Sequence, residues 1–346
     1  MNELFSFFII LTASLSFSGL SRFLHVPWIL ALIVGGILLG PSAFDILHID
    51  PVIQFLGDIG LIFLMFMAGL ETKINGFVKL KTPILVIAFL NGFIPFLAGL
   101  LITLLFGHSS ETSLYVGVLF ISTSVSMILG MFQSTGMLQT KLGRTLMGVA
   151  MLEDLAALLL VSLLLQHTGS VGATPLFVLY PLMFGLVLIA RMYVPKLRNA
   201  LVARFEKSEN VFENELRLTL SILFGLVLLF SFLGLEPLVS SFLSGLILAG
   251  SITHHSLKEK LKTLSYGIFV PAFFIITGLS IDLSTVYQVN GGHLFIIAIV
   301  LGLTASKFVS GYLGMRLFGY SKNESALFGF ATLPNLATFL ALAFVG

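Results

Sequence analysis

Two adjacent carboxylates, Glu153 and Asp154, stand near the middle of the apolar stretch Gly143–Gln166, and no other charge lies between Arg144 and Gln166. At a helical rise of about 1.5 Å per residue the stretch is about 36 Å long, enough to cross a bilayer, so the pair falls near half depth. One acidic side chain at the centre of a membrane helix costs roughly 2.5–3.5 kcal/mol on the insertion scale. Two side by side also repel. A surface helix of a soluble protein could turn such a pair to water, but the stretch carries no further charge to make a polar face. Carboxylates at that depth are placed to bind something positive.

Other polar residues lie at similar depth. Lys307 is fourteen residues into the apolar run 293–318. A lysine there either snorkels to the interface or pairs with a buried carboxylate. The distance favours pairing, and Asp154 is the expected partner. Hydroxyls cluster in GVLFISTSVSMILGMF as Ser122, Thr123, Ser124 and Ser126, while FGFATLPNLATFLALAF carries Thr332, Pro334 and Asn335 at the matching depth. Pro334 removes a backbone donor and disfavours helix at Leu333. Two helices broken at half depth would present their ends and free carbonyls to a cavity. The alternative is a pair of continuous helices whose hydroxyls bond back to their own carbonyls. Asp58 and Asp282 fall near span ends and read as interfacial, Glu71 as a partner of Lys73 or a cap, and His254-His255 as solvated on a basic loop. There is no HExxH, phosphate loop or nucleotide fingerprint. With no cysteine, disulfides and thiolate metal sites are excluded, and no cofactor is expected.

The elements that must hold these residues are membrane helices. Mean hydropathy is +1.08, and 57% hydrophobic against 10% charged residues describes an integral membrane protein rather than a large soluble core. Hydropathy and breaks give twelve spans, at 4–21, 27–44, 52–70, 83–106, 112–133, 143–166, 174–195, 216–234, 237–253, 264–281, 293–318 and 324–346. The first reads as a retained span, since Met1-Asn2-Glu3 is not the basic start of a signal peptide. Pro95, Pro181, Pro271 and Pro334 lie inside spans and predict kinks or breaks. The longest polar loop is Lys196–Glu215. Seventeen of the eighteen Lys and Arg fall in the loops that follow odd-numbered spans or at the span ends beside them, all on one side; Lys307 is the exception. That side is cytoplasmic by the positive-inside rule, which puts the N-terminus outside.

A constant offset of 209 residues links Gly36 to Gly245, Gly69-Leu70 to Gly278-Leu279 and Thr123 to Thr332. Span 2 thus maps to span 9, an odd displacement that reverses orientation, so the chain reads as a single transmembrane transporter domain over 1–346, built from inverted repeats of about 27–166 and 237–346. The same offset carries Glu153 and Asp154 beyond Gly346, so the second repeat is expected to be incomplete, with a thirteenth span missing.

PWILALIVGGILLGP (27–41), LGDIGLIFLMFMAGLET (56–72), MLEDLAALLLV, YGIFVPAFFIITGLSIDL (266–283) and LPNLATFLALAFVG occur together. As a set they resemble the monovalent cation:proton antiporter-2 family, the bacterial sodium/proton and Kef-type potassium/proton exchangers. The resemblance covers nearly the whole chain. It implies an all-α polytopic fold of thirteen spans, with a core domain of two crossed discontinuous helices that moves against a dimerisation domain. It also implies a homodimer in the inner membrane. In the family the second acid of the pair binds the cation, which places that role on Asp154. The family's basic residue on the eleventh span matches Lys307, and its broken helices match Thr123-Ser124 and Pro334-Asn335. Two departures stand out. Sodium exchangers carry Asp-Asp and Kef-type proteins Gln-Asp where this chain has Glu153-Asp154. The sequence also has no nucleotide-binding C-terminal domain, which argues against a gated potassium-efflux protein unless that domain was removed.

The expected function is therefore exchange of Na⁺ or K⁺ for protons, the two competing for Asp154 while the acidic pair titrates as a unit. Transported ions and lipid are the partners; nucleic acid is not. A cation channel needs neither Lys307 nor proton coupling. An intramembrane hydrolase with a nucleophile among Ser122–Ser126 would need a base other than Lys307. Neither the choice between Na⁺ and K⁺ nor the stoichiometry follows from these residues.

Overall fold

A computed structural model describes residues 3–24, 26–71, 82–123, 128, 137, 140–168, 176–205, 211–232, 235, 237–252, 255–281 and 292–333. Among them the regular elements are helices, in the order α1 (Glu3–Leu24), α2 (Trp28–Leu39), α3 (Pro51–Glu71), α4 (Thr82–Leu105), α5 (Ser110–Leu119), α6 (Lys141–Thr168), α7 (Leu176–Phe205), α8 (Val211–Phe232), α9 (Pro237–Leu248), α10 (His255–Leu264), a π turn (Ser265–Phe269), α11 (Val270–Leu279), α12 (Gly292–Leu317) and α13 (Lys322–Ala331). Six helical segments among the described residues are long and apolar enough to cross a membrane. Local chemistry sets several starts. Asp50 caps α3, its Oδ1 accepting from Val52 N at 3.0 Å and Ile53 N at 2.8 Å ahead of a proline at the first position. Ser321 and Glu324 close a capping box on α13.

The chain divides into two compact units, Met1–Lys73 with Ser170–Leu283, and Ile74–Gly169 with Ser284–Gly346. In the first unit α2 packs on α11 and α3 on α9. Both crossings are backbone-close. A Cβ on Gly36 would lie 2.0 Å from the Ile275 carbonyl oxygen, and one on Gly69 would lie 2.2 Å from that of Phe242. Gly36 faces Gly278 and Gly69 faces Gly245, so the offset of 209 carries Gly36 of the first crossing to Gly245 of the second, and Gly69 of the second to Gly278 of the first.

Three expectations about breaks and loops need correction. The stretch 196–215, read as a polar loop, is largely helical: α7 continues through Pro195 to Phe205, and α8 begins at Val211. Arg198 and Glu215 explain why. Both are buried and form a salt bridge, and Arg198 also donates from Nη1 to the Ser251 carbonyl at 2.8 Å. Pairing and three-sided hydrogen bonding let charged residues continue the helices into the protein instead of opening to water. Secondly, of the kinks or breaks expected at Pro95 and Pro181 the break does not occur, since both prolines lie within the continuous helices α4 and α7. Thirdly, ahead of Pro271 the chain makes a π turn instead of a break, closed by Val270 N–H donating to the Ser265 carbonyl. A ring stack of Phe269 on Phe63, with centroids 5.0 Å apart, covers it.

In the second unit α4 packs against α5, α6 and α12, and α12 against α13. Ile87 on α4, Val149 and Ala150 on α6, and Met315 on α12 share one buried apolar cluster with Phe328 and Ala331 of α13. Gly314 packs against Ile87, and Gly311 faces Asn91, so α4 and α12 run antiparallel. One helical turn on from the cluster, four residues beyond Ile87 and Val149, come Asn91 and Glu153; the matching stretch of α12 carries Lys307 and Ser310. Apolar packing thereby sets the register that brings the polar residues together.

Candidate functional site

α5 stops at Leu119, where Phe120 N–H bonds to the Val116 and Gly117 carbonyls, and Ser122 and Thr123 lie beyond it in non-helical backbone. Released from a helical ladder, this short turn offers its groups to α6 and α12. Lys307 Nζ donates to the Ile121 carbonyl at 2.6 Å, to Thr123 Oγ1 at 2.9 Å and to Glu153 Oε2 at 3.0 Å. Glu153 Oε2 also accepts from the Thr123 hydroxyl, and its Oε1 accepts from Asn91 Nδ2 at 2.8 Å. Ser310 donates to Asn91 Oδ1 at 2.9 Å.

Lys307 is 0% exposed and Glu153 1%, which rules out snorkelling. The expected partner, however, was Asp154, and the salt bridge is to Glu153 instead. Consecutive residues on a helix point about 100° apart, so one lysine on a packed neighbour meets only one of the two acids. Asp154 is half-buried. Its Oδ1 accepts from the Ser122 hydroxyl at 2.9 Å, and the Thr123 backbone N–H bonds to the same carboxylate. Among the described residues Asp154 forms no salt bridge, and Lys307 acts on it only as a nearby charge. The two acids therefore differ in kind. Both Glu153 oxygens are engaged by an ammonium, a hydroxyl and an amide, whereas Asp154 meets only neutral donors.

Thr332 is buried where α13 ends, and its hydroxyl donates back to the Gly329 carbonyl at 3.1 Å. Ser124, Ser126, Pro334 and Asn335 lie outside the described residues. Asn91 and Ser310 were not anticipated. Asn91 is the only carboxamide in the span 83–106, and Ser310 stands one turn beyond Lys307; those positions were the available signal.

A model of the sodium/hydrogen exchanger transmembrane family matches residues 8–346. The chain belongs to the sodium/hydrogen exchanger family. Its relatives are transporters, not enzymes. It is 27% identical over 345 residues to a probable Na⁺/H⁺ antiporter of Methanocaldococcus jannaschii, covering 98% of this chain and 87% of that protein. To the Na⁺/H⁺-K⁺ antiporter GerN of Bacillus cereus it is 25% identical, over 94% of this chain and 83% of that one. In fold it is similar to the solved sodium proton antiporter MjNhaP1 of Methanocaldococcus jannaschii, with a TM-score of 0.78 at 17% identity across 99% of this chain and 85% of that one. The all-helical polytopic fold expected from the sequence agrees with this likeness.

Proposed function

We propose that this exchanger-family chain is a secondary antiporter that exchanges a monovalent cation, Na⁺ or K⁺, for protons, both competing for the Asp154 carboxylate. The observation that carries the reading is the asymmetry of the acidic pair. Glu153 is held between Lys307, Thr123 and Asn91, while Asp154 has only the Ser122 hydroxyl and the Thr123 N–H. A monovalent hard cation takes oxygen ligands. Asp154 supplies the charge, and the Ser122 and Thr123 oxygens with nearby carbonyls complete the set. A proton on Asp154 removes that charge, so the two ions exclude each other, and alternating exposure of one site converts exclusion into exchange. Lys307 and Glu153 stay paired through the cycle and keep the turn at Ile121–Thr123 anchored to α6 and α12.

Alternating access here is elevator-like, with the unit that carries Asp154 moving as a body. The inverted repeat is part of the same proposal, and the equivalent glycine crossings at Gly36–Gly278 and Gly69–Gly245 support it. The family and the distribution of Lys and Arg support residence as a homodimer in the inner membrane, with the N-terminus outside. The test is purified protein in sealed vesicles with an entrapped proton dye. Na⁺ or K⁺ added outside should drive proton movement that an uncoupler abolishes. Cation flux without proton movement would make the protein a channel.

A further inference from the structure

Asp58 is the seventh residue on from Pro51, where α3 begins, and so stands about 10 Å inside a helix that runs unbroken to Glu71. Gly57 and Gly60, close on either side of it, seat α3 on α11 and the π turn. A Cβ on Gly57 would lie 3.3 Å from Ile276, and one on Gly60 would lie 2.3 Å from the Phe269 carbonyl oxygen. Those two approaches fix the rotation of α3 and turn Asp58 outward. From Leu61 to Leu70 the helix is mostly buried, but its first half shows Val52, Phe55 and Asp58 as exposed residues. Gln54, one turn earlier, donates from Nε2 to Asp58 Oδ1 at 3.1 Å, which orients the carboxylate without offsetting its charge. Among the described residues Asp58 forms no ion pair. A charged side chain inside a span faces the protein interior or water, and this one is exposed and too short to reach back to the interface. Water is what it meets.

The offset of 209 carries Gly57, Asp58 and Gly60 to Tyr266, Gly267 and Phe269. Gly57 meets Ile276 and Gly60 meets Phe269, so α3 and α11 run antiparallel and Gly267 stands toward the end where α3 finishes. Gly267 is likewise exposed, and nothing lies within 4 Å of where its Cβ would stand. Two equivalent positions are thus open, one toward each end of the span, and only the one near the start of α3 carries an acid. We propose that Asp58 is a cation-collecting residue on the external aqueous route of the transported ions, without a counterpart on the cytoplasmic route, so that the exchanger takes up cations from its two sides with unequal affinity. The proposal rests on the antiporter reading and the inverted repeat given above. One carboxylate with one amide partner is too small a set to replace a hydration shell. Asp58 therefore acts through its field, which concentrates hydrated Na⁺ and K⁺ alike and is screened by salt.

The experiment measures exchange in right-side-out and inverted membrane vesicles from cells without other exchangers, for wild type, Asp58→Asn, Gly267→Asp and Asp45→Asn. At about 10 mM ionic strength, where the Debye length is about 30 Å, Asp58→Asn should raise the apparent KM for external Na⁺ and K⁺ by about threefold or more. The KM from the cytoplasmic side and the maximal rate should not change. In about 0.5 M of a non-transported organic salt the difference should shrink below about twofold. Gly267→Asp should lower the cytoplasmic KM by a similar factor. Asp45→Asn, the same charge change between α2 and α3 on a residue paired with His48, should do neither. Labelling gives a readout independent of transport, since the chain has no cysteine. Phe55→Cys, on the exposed part of α3 one turn before Asp58, should react from outside faster with a membrane-impermeant cationic thiosulfonate than with an anionic one. Adding Asp58→Asn should reduce that preference by about threefold or more. No labelling from outside, a preference unaffected by Asp58→Asn, an unchanged external KM, an equal rise on both sides or a rise that persists at high salt overturns the proposal. Absence of exchange in wild type would instead overturn the antiporter reading, and the labelling preference would still decide whether Asp58 collects cations. If Asp58→Asn does not fold, Gly267→Asp decides, and a cytoplasmic KM that does not fall overturns the proposal.

Discussion

Replacing Lys307 with alanine removes an ammonium that is 0% exposed and bonded three ways, to the Ile121 carbonyl, Thr123 and Glu153. Breaking a buried pair by deleting one partner strands the other charge, at about 3–5 kcal/mol. With about 2.1 cal/mol/K of unfolding entropy per residue, the 346 residues give about 0.7 kcal/mol/K. The melting temperature should therefore fall by about 4–7 °C. The stranded group is Glu153, still facing Asn91 and Thr123 but with no counter-charge. Neutralising it as well, in Lys307→Ala/Glu153→Gln, should recover most of the loss, since no unpaired charge remains. Lys307→Ala/Asp154→Asn should recover little. The assay is thermal unfolding of the four purified proteins in one detergent at one pH, without and with Na⁺. Rescue by Asp154→Asn and not by Glu153→Gln would show that Lys307 serves Asp154 and that the pairing drawn above is wrong. A single variant as stable as wild type would show that the buried pair contributes nothing.

Three further outcomes follow from the same contacts. Ser122→Ala removes a neutral donor to Asp154 and should raise the apparent cation KM by about 3–10-fold, the scale of one hydrogen bond, with the fold retained; an unchanged KM across Na⁺ and K⁺ would exclude Ser122 from the site. Glu153→Gln should keep measurable exchange with a displaced pH profile, and complete inactivity in a folded protein would make both acids indispensable. Arg198→Ala breaks the buried pair with Glu215 in the first unit and should lower stability by about 3–5 kcal/mol while leaving the cation dependence of exchange unaltered. A changed KM in that variant, measured in the same vesicles, would tie the pair to transport.

Helix placement was legible because membrane helices announce themselves in composition: α1, α3, α4 and α12 begin and end within a few residues of the hydropathy spans. Glu153, Asp154 and Lys307 were legible for the same reason, as charges where charge is costly. What could not be read was which acid meets the lysine. Adjacent residues have nearly identical sequence surroundings, and the choice depends on the rotation of α6, set by Val149 and Ala150 packing against Ile87 and Met315. Asn91 escaped notice because a lone uncharged amide in a span is inexpensive if paired, and its partners lie 62 and 219 residues away. Arg198 and Glu215 were read as loop charges because a pair that neutralises itself looks, residue by residue, like two solvated ions.

The most direct test of the account is proton movement by Asp154→Asn set against wild type in the same sealed vesicles. The substitution keeps the shape of the side chain and removes the charge that a cation or a proton would seek. With an entrapped pH dye and an outward-directed Na⁺ or K⁺ gradient, wild type should show cation-driven proton flux. The variant, confirmed as folded by its melting curve, should show only the leak of protein-free vesicles at every pH. Cation-driven proton flux retained in Asp154→Asn would contradict the assignment of exchange to that carboxylate.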